Sequence, residues 1–339
     1  MMRLFTRTEL LPEGKKPCFL LWPLLGITED ATNDPDYGRF ENYLREGKSL
    51  FTLVDAAEEA DAVVLPFEYT PEEKFRPAML ILAEEAKAAG KPLLVFYNSD
   101  FTHAIDLPNA IVFRTTGFRN QRMTNEHGFP GWSVDFLKYN EGKFTPLKKT
   151  DKPRVSYCGY IDYSSTWEML RYKFNSRNKE EMYRIGPELR GEAVRVLRSD
   201  NRIETDFIIR NGFWAQGEPD KNEARRVYAR NMLQSPYALV ARGAGNFSYR
   251  LYEVLSCGRI PVFIDTDGLL PFDEFVDWKA HVCRTDAKDV KTLAKRLLEF
   301  HASLSVADFE ELQFRNRQLY ETWIRPEAFF RQIERYILR

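Results

Sequence analysis

The chain has 339 residues, 44% hydrophobic and 29% charged, the composition of an ordinary globular protein and enough material for two cores of roughly 150 residues each. Its 49 basic and 50 acidic side chains nearly cancel, to a net charge of -1, so no general field draws it onto nucleic acid or acidic lipid, and no nucleic-acid partner is expected. The cysteines, Cys18, Cys158, Cys257 and Cys283, stand far apart and form no Cys-x-x-Cys pair; they read as buried thiols of a reducing compartment, not as a metal or redox centre.

In chain order, a first buried strand is predicted over 17–25. Two lysines precede this apolar run, but it is too short to span a bilayer and Pro23 interrupts it, so it reads as neither anchor nor signal. Further strands are predicted over 62–66, 92–97 and 109–113, with a helix over 77–89 that stops at Gly90 and has Pro92 just beyond. The polar stretch 142–154 carries Pro146 and Pro153 and reads as a linker. The alternation then resumes, with strands over 155–159, 206–210, 237–241, 259–264 and 281–284 and helices over 180–198, 222–232, 248–257, 287–301 and 305–319. Strands alternating with helices give an α/β fold built on parallel sheets. Its expected domains are 1–150 and 151–325, with a last amphipathic helix over 326–339 packing back on the first.

Residues 235–264 carry the chemistry, as strand, glycine loop, helix and strand. Gly243 and Gly245 allow a ligand close to the backbone, while Asn246 or Ser248 can cap a helix whose first N–H groups favour an anion. Arg242 before the loop and Arg250 in the first helical turn can both reach a diphosphate with charge-assisted bonds. Glu253, three residues after Arg250, shares its helix face and can accept from ribose hydroxyls. The bland alternative is an exposed Arg-x-x-Glu ion pair in one more glycine loop.

The wider pattern over residues 248–278 decides between them. Ser248-Tyr249-Arg250, Glu253, Gly258 with Pro261-Val262, Leu270-Pro271-Phe272 and Trp278 together resemble the exostosin-like glycosyltransferases over about forty residues, with looser likeness at 153–160 and 190–195. The resemblance implies the glycosyltransferase B architecture, two Rossmann-like domains facing a cleft. The N-terminal domain then binds the acceptor and the C-terminal one a nucleoside-diphosphate sugar, a UDP-sugar foremost. It also implies inverting transfer of a hexosyl or glycuronosyl unit to an oligosaccharide or lipid-linked glycan, with Arg190 as a further diphosphate contact. Retaining relatives of this architecture often carry a Glu eight positions before the ribose-binding one; Gly245 stands there, in favour of inversion. Unlike the large animal heparan enzymes, the chain is not expected to carry an N-terminal anchor or a second catalytic domain.

No cofactor or metal is expected. Asp265-Thr-Asp267 resembles a metal-binding Asp-x-Asp, but at a strand end turn formation explains it, and arginines can neutralise a leaving diphosphate. Inverting transfer needs a general base. Asp100 ranks first because it follows a strand's C-terminal end, ahead of His127 and Asp36, with Asp34, His103 and Glu126 behind. Each also has a local explanation as a cap, turn or loop residue. Asn246-Phe247-Ser248 spells a glycosylation acceptor, but a glycan there would block the proposed loop. Trp132, Trp167, Trp214 and Trp278 could stack on sugars, though core packing explains most of them. The reading places the chain in the cytoplasm, with a peripheral position at the inner face of a membrane through its acceptor. The rival from another class is a non-catalytic carbohydrate- or nucleotide-sugar-binding protein of the same fold. A nucleotide-dependent dehydrogenase fits less well, since no Gly-x-Gly-x-x-Gly opens either half.

Overall fold

The computed structural model describes residues 1–29, 34, 36–161, 180–212, 216–217 and 219–338, without the side chains of 180–185. Trp167 and Trp214 lie outside the described residues. The chain forms two compact units: unit 1 is Met1–Trp132, Leu269–Asp273 and Thr322–Arg339, and unit 2 is Ser133–Gly268 and Glu274–Glu321. The first crossing thus lies at 132/133, ahead of the polar stretch 142–154 and not within it. Residues after the crossing are already tied into unit 2: Asp135 pairs with Arg317 at 2.7 Å, and the Phe136 amide donates to Ser256 Oγ at 3.3 Å.

Unit 1 holds a parallel six-stranded sheet of β1 (Met2–Phe5), β2 (Phe51–Leu53), β3 (Ala62–Val64), β4 (Leu93–Tyr97), β5 (Ala110–Arg114) and β6 (Glu126–Gly128), in the order β2-β1-β3-β4-β5-β6. Helices α1 (Glu41–Leu50) and α2 (Arg76–Ala88) belong to its connections. Leu82, Ala83 and Ala86 of α2 pack on Val63, Leu65, Val95 and Val112 in one core cluster. A second, aromatic cluster joins Phe96, Phe113, Phe129 and Trp132 to Phe272 and to Phe329 and Phe330 of α8 (Pro326–Gln332). Such large rings supply much of a core's burial energy.

The strand expected over 17–25 is instead two short helical turns, Phe19–Leu21 and Trp22–Leu25. Pro23 sits in the first turn, where its missing N–H costs nothing, and the Trp22 indole donates to the Pro17 carbonyl at 2.8 Å. Leu20 and Leu21 are fully buried, which explains the apolar run without a strand. The first strand is Met2–Phe5, and β2, β6 and α1 were also not anticipated.

Unit 2 holds a parallel five-stranded sheet of β7 (Arg154–Tyr160), β8 (Glu204–Arg210), β9 (Tyr237–Val240), β10 (Ile260–Asp265) and β11 (Cys283–Asp286), in the order β11-β10-β9-β7-β8. Its helices are α3 (Glu180–Arg198), α4 (Lys221–Leu233), α5 (Tyr249–Ser256), α6 (Leu293–Ser303) and α7 (Val306–Leu319). Val194, Leu197, Leu293, Leu297 and Phe309 close over Val155, Leu239, Ile260, Val262 and Ile264. The buried strands read as nearly continuous apolar runs, as parallel sheets covered by helices do.

Both sheets are parallel and Rossmann-like, so each unit is an α/β structure in its own right. The four cysteines are free and buried. Among the described residues no helix is long and apolar enough to cross a membrane.

Candidate functional site

The strand order of unit 2 locates a site before any side chain is considered. From β7 the chain runs to β8 on one side, whereas β9 lies on the other side and leads on to β10 and β11. Neighbouring strands whose connections leave in opposite directions open a crevice past their C-terminal ends, where ligands of open α/β sheets bind. Here those ends are Cys158 to Tyr160 of β7 and the segment Ala241 to Gly245 that follows β9.

Two glycines allow close packing at that edge. A side-chain carbon on Gly159 would lie 2.9 Å from Arg250 Nη2, and one on Gly186 of α3 would lie 2.5 Å from the Gly243 carbonyl oxygen. The loop after β9 is closed by the Gly243 amide, which donates to the Phe247 carbonyl at 2.8 Å. Arg242, 5% exposed, folds back to donate from Nη2 to the Ala244 carbonyl at 2.8 Å and so braces the loop. Gly243 keeps a negative-φ backbone, and a side-chain carbon there would meet only the Phe247 carbonyl oxygen, at 3.7 Å. Asn246, 1% exposed, donates its amide to the Thr266 carbonyl at 3.1 Å and accepts from the Thr266 hydroxyl at 2.6 Å. It ties the loop to the next turn, a buried role that leaves no room for a glycan. Ser248 occupies the N-cap position of α5 in extended backbone, and its side chain makes no capping bond.

Arg250 and Glu253 meet through a third residue, Tyr228 of α4. Arg250 Nε donates to the Tyr228 hydroxyl at 3.1 Å, and that hydroxyl donates to Glu253 Oε2. Glu253, 3% exposed, accepts at Oε1 from the Ser133 hydroxyl at 2.7 Å, with Arg225 Nη2 3.4 Å away. Arg225 lies over the Phe136 ring at 4.7 Å. Arg250 also donates from Nη2 to the Cys158 carbonyl at 2.6 Å and lies 4.4 Å over the Tyr157 ring. Burial opposes the charge on Arg250, but the nearby Tyr228, Tyr157 and Glu253 outweigh it and hold the guanidinium charged. Burial likewise keeps the Tyr228 hydroxyl protonated, able to donate to the acid while it accepts from the base.

Arg190, one turn after Gly186 on α3, is 7% exposed and donates to the Gly186 carbonyl at 3.0 Å. Its pKa is lowered, first by burial and then, against the pull of Tyr157, by repulsion from Arg250. Arg190 and Arg250 lie close enough to repel, and paired guanidinium groups are charges that a diphosphate could bridge.

Ser133, Tyr157, Arg225 and Tyr228 were not singled out from the sequence. Tyr157 lies in the 153–160 stretch that loosely resembles the family; no local spacing marks the other three. Trp278, 6% exposed, is a core residue. Asp265 accepts from the Asp267 amide at 2.8 Å and pairs with Arg284 at 2.7 Å, while Asp267 takes a left-handed φ of 63°, so the Asp-x-Asp builds a turn. Among the described residues no group of three or more His, Cys, Asp or Glu could hold a metal ion.

The three residues named for the general base occupy separate places in unit 1. Asp100 is half-buried past the end of β4, in a loop pinned where the Ser99 amide donates to Thr115 Oγ1 at 3.0 Å. Asp36, 3% exposed, donates its amide to Asp34 Oδ1 at 2.9 Å, and Asp34 pairs with Arg39 at 3.1 Å. His127 lies inside β6, 5% exposed, its ring 3.9 Å from Tyr336 and 5.8 Å from Phe113, so it packs among core aromatics. Glu126 is held by Arg114 at 2.5 Å, and His103 Nδ1 is bonded to the Tyr97 hydroxyl at 2.8 Å.

One further carboxylate, which no sequence pattern marks, also follows a strand of unit 1. The switch point of unit 1 lies between β1 and β3, and Glu68 follows β3 in the segment where Pro17 bridges Phe67. Burial raises its carboxyl to about 7, against a weaker pull from Lys15, which places it among the candidate bases.

Comparison with known proteins bears on the same segment. Residues 176–300 match the model of the exostosin GT47 domain. The Exostosin-1 homolog of Caenorhabditis elegans is 25% identical over 161 residues, covering 46% of this chain and 41% of the worm protein. Exostosin-1 of Drosophila melanogaster is 28% identical over 132 residues, 37% of this chain and 17% of the fly protein. The chain therefore matches less than half the length of either relative. Among solved structures, an alpha-glucosyltransferase in complex with UDP and a 13-mer DNA aligns over 100% of this chain and 99% of its own at 13% identity, with a TM-score of 0.36. The segment 176–300, which includes Arg190, the glycine loop, Arg250 and Glu253, is thus similar to the exostosin GT47 domain.

Proposed function

We propose that the protein is an inverting, metal-independent glycosyltransferase that moves a sugar from a UDP-sugar to a glycan or glycoconjugate acceptor. The observation that carries this is the pair Arg190 and Arg250 at the C-terminal edge of the unit 2 sheet, inside the family-matched segment. In this reading the donor diphosphate lies against the two guanidinium groups, with Arg242 bracing the loop beneath it. As the bond from the anomeric carbon to the diphosphate breaks, negative charge grows on the leaving oxygen, and fixed cations stabilise that charge without reorganising. Transfer to the acceptor hydroxyl also needs a general base, for which Asp100 and Glu68 are the candidates.

Glu253 was expected to hold the ribose. Both of its oxygens already accept from protein groups, and a carboxylate has about four acceptor positions, so a ribose hydroxyl has at most one to use unless Ser133 or Tyr228 gives way. Glu253 in this reading serves the site first as a support for the cationic groups.

The test is a thermal-shift screen of the full chain against UDP-, GDP-, dTDP- and CMP-sugars, with and without EDTA, together with Arg250→Ala. A UDP-sugar at a hundred times its Kd should stabilise the parent by about 2.7 kcal/mol. EDTA should leave that gain intact, Arg250→Ala should abolish it, and added glycan acceptors should release UDP. If no nucleotide-sugar stabilises the parent more than the variant, the donor assignment is wrong. Stabilisation without UDP release would favour a binding protein instead.

A further inference from the structure

The Arg250 guanidinium has five N–H groups in one plane. One edge is spent inside the protein, Nε on the Tyr228 hydroxyl at 3.1 Å and Nη2 on the Cys158 carbonyl at 2.6 Å. Nη1 makes no bond to any described residue. Two bonds on one edge and a ring 4.4 Å below fix the plane and leave the Nη1 side for a ligand.

Of these supports, the Cys158 carbonyl and the Tyr157 ring belong to β7, part of the rigid sheet. Tyr228 belongs to α4, and its hydroxyl direction is set from behind by Glu253, which Ser133 and Arg225 hold in turn. The chain Ser133, Glu253, Tyr228, Arg250 is a relay of hydrogen bonds in which each oxygen has one available orientation.

We propose that Tyr228 is the positioning residue of the donor site: held by Glu253, its hydroxyl aims the Arg250 guanidinium at the diphosphate of the bound nucleotide. The proposal rests on the donor reading and adds to it a residue that touches no ligand. It also gives Glu253 a function independent of any ribose contact.

The test compares two soluble probes, UDP and uridine, on the full chain by calorimetric titration, using the parent, Tyr228→Phe, Arg250→Ala and the double variant. Tyr228→Phe removes one oxygen and keeps the ring that packs against Phe136. If Tyr228 acts through Arg250, Tyr228→Phe should weaken UDP by about tenfold, the equivalent of about 1.4 kcal/mol, and leave uridine within about twofold of the parent. In the Arg250→Ala background the same change should then have no further effect on UDP, because the two residues act as one unit. A purely structural role would weaken UDP and uridine together, and that result overturns the proposal, as does a UDP affinity unchanged by Tyr228→Phe. A parent that binds neither probe overturns the donor reading, and the proposal with it. UDP weakened by Arg250→Ala but not by Tyr228→Phe leaves the donor reading standing and removes the positioning role alone.

Discussion

Replacing Arg250 with lysine keeps the charge and tests whether the fork geometry matters. The guanidinium serves three partners at once: the Tyr228 hydroxyl, the Cys158 carbonyl and the face of the Tyr157 ring. An ammonium group can replace the bond to Cys158 but cannot also reach Tyr228 from the same point, and it has no planar face to lay on Tyr157. One charge-assisted bond inside the protein is therefore lost, roughly 1.5 to 3 kcal/mol, partly recovered where the freed Tyr228 hydroxyl finds another partner. The net loss in unfolding free energy should be about 1 to 2 kcal/mol. The effect on a bound diphosphate is separate: a bidentate contact becomes a single one, so UDP affinity should fall by about ten- to a hundredfold, or about 1.4 to 2.8 kcal/mol. Urea unfolding and calorimetric titration with UDP measure the two quantities independently. An Arg250→Lys protein that binds UDP within about twofold of the parent would refute the reasoning, since charge alone would then suffice.

Glu253→Gln keeps the size of the side chain but removes the charge that Arg225 and Arg250 share, and it puts an amide donor where Ser133 or Tyr228 now donates; urea unfolding should register a loss of roughly 2 to 4 kcal/mol. His127→Leu should act on stability and not on turnover: losing the ring contacts to Tyr336 and Phe113 should lower the melting temperature, while nucleotide binding by titration stays as in the parent. Burial raises the Glu68 carboxyl from 4.5 to about 7, so the folded chain keeps a proton that the unfolded chain releases first. Its contribution is fully present below about pH 4.5 and is lost as pH rises through about 7, by roughly 1 to 2 kcal/mol after solvent screening. Melting curves of the parent and Glu68→Gln should accordingly diverge between about pH 5 and pH 8 in favour of the variant, and parallel curves would contradict the shift.

The central strands of unit 2 are legible in the sequence because they are apolar runs covered on both faces, Tyr237–Val240 and Ile260–Asp265 being buried throughout. β1, β2 and β6 are three or four residues long, too short for any period to show. The run 17–25 misleads for a related reason: full burial makes a helical turn and a buried strand look alike, and Pro23 fits the former. In the candidate site, the glycine loop, Arg250 and Glu253 are neighbours in sequence, so a local pattern reveals them as a group. Their supports escape it, because Ser133 lies 120 residues from Glu253 and Tyr228 25 residues away, separations no local pattern spans. Glu68 becomes visible only once the strand order shows which loop follows the strand beside the switch point.

The chain passes between the units at 132/133, 268/269, 273/274 and 321/322, so neither unit is one continuous piece. Phe272, within the Leu-Pro-Phe motif, stacks on Tyr336 at 5.7 Å and touches Phe329 at 5.1 Å, all inside unit 1. A ribosome delivers the last of unit 2 at residue 321 but Phe329 and Tyr336 of unit 1 only after it. Unit 1, begun ahead of unit 2, is therefore completed after it, and a nascent chain stalled before residue 322 would present an unfinished aromatic face to whatever chaperone attends it.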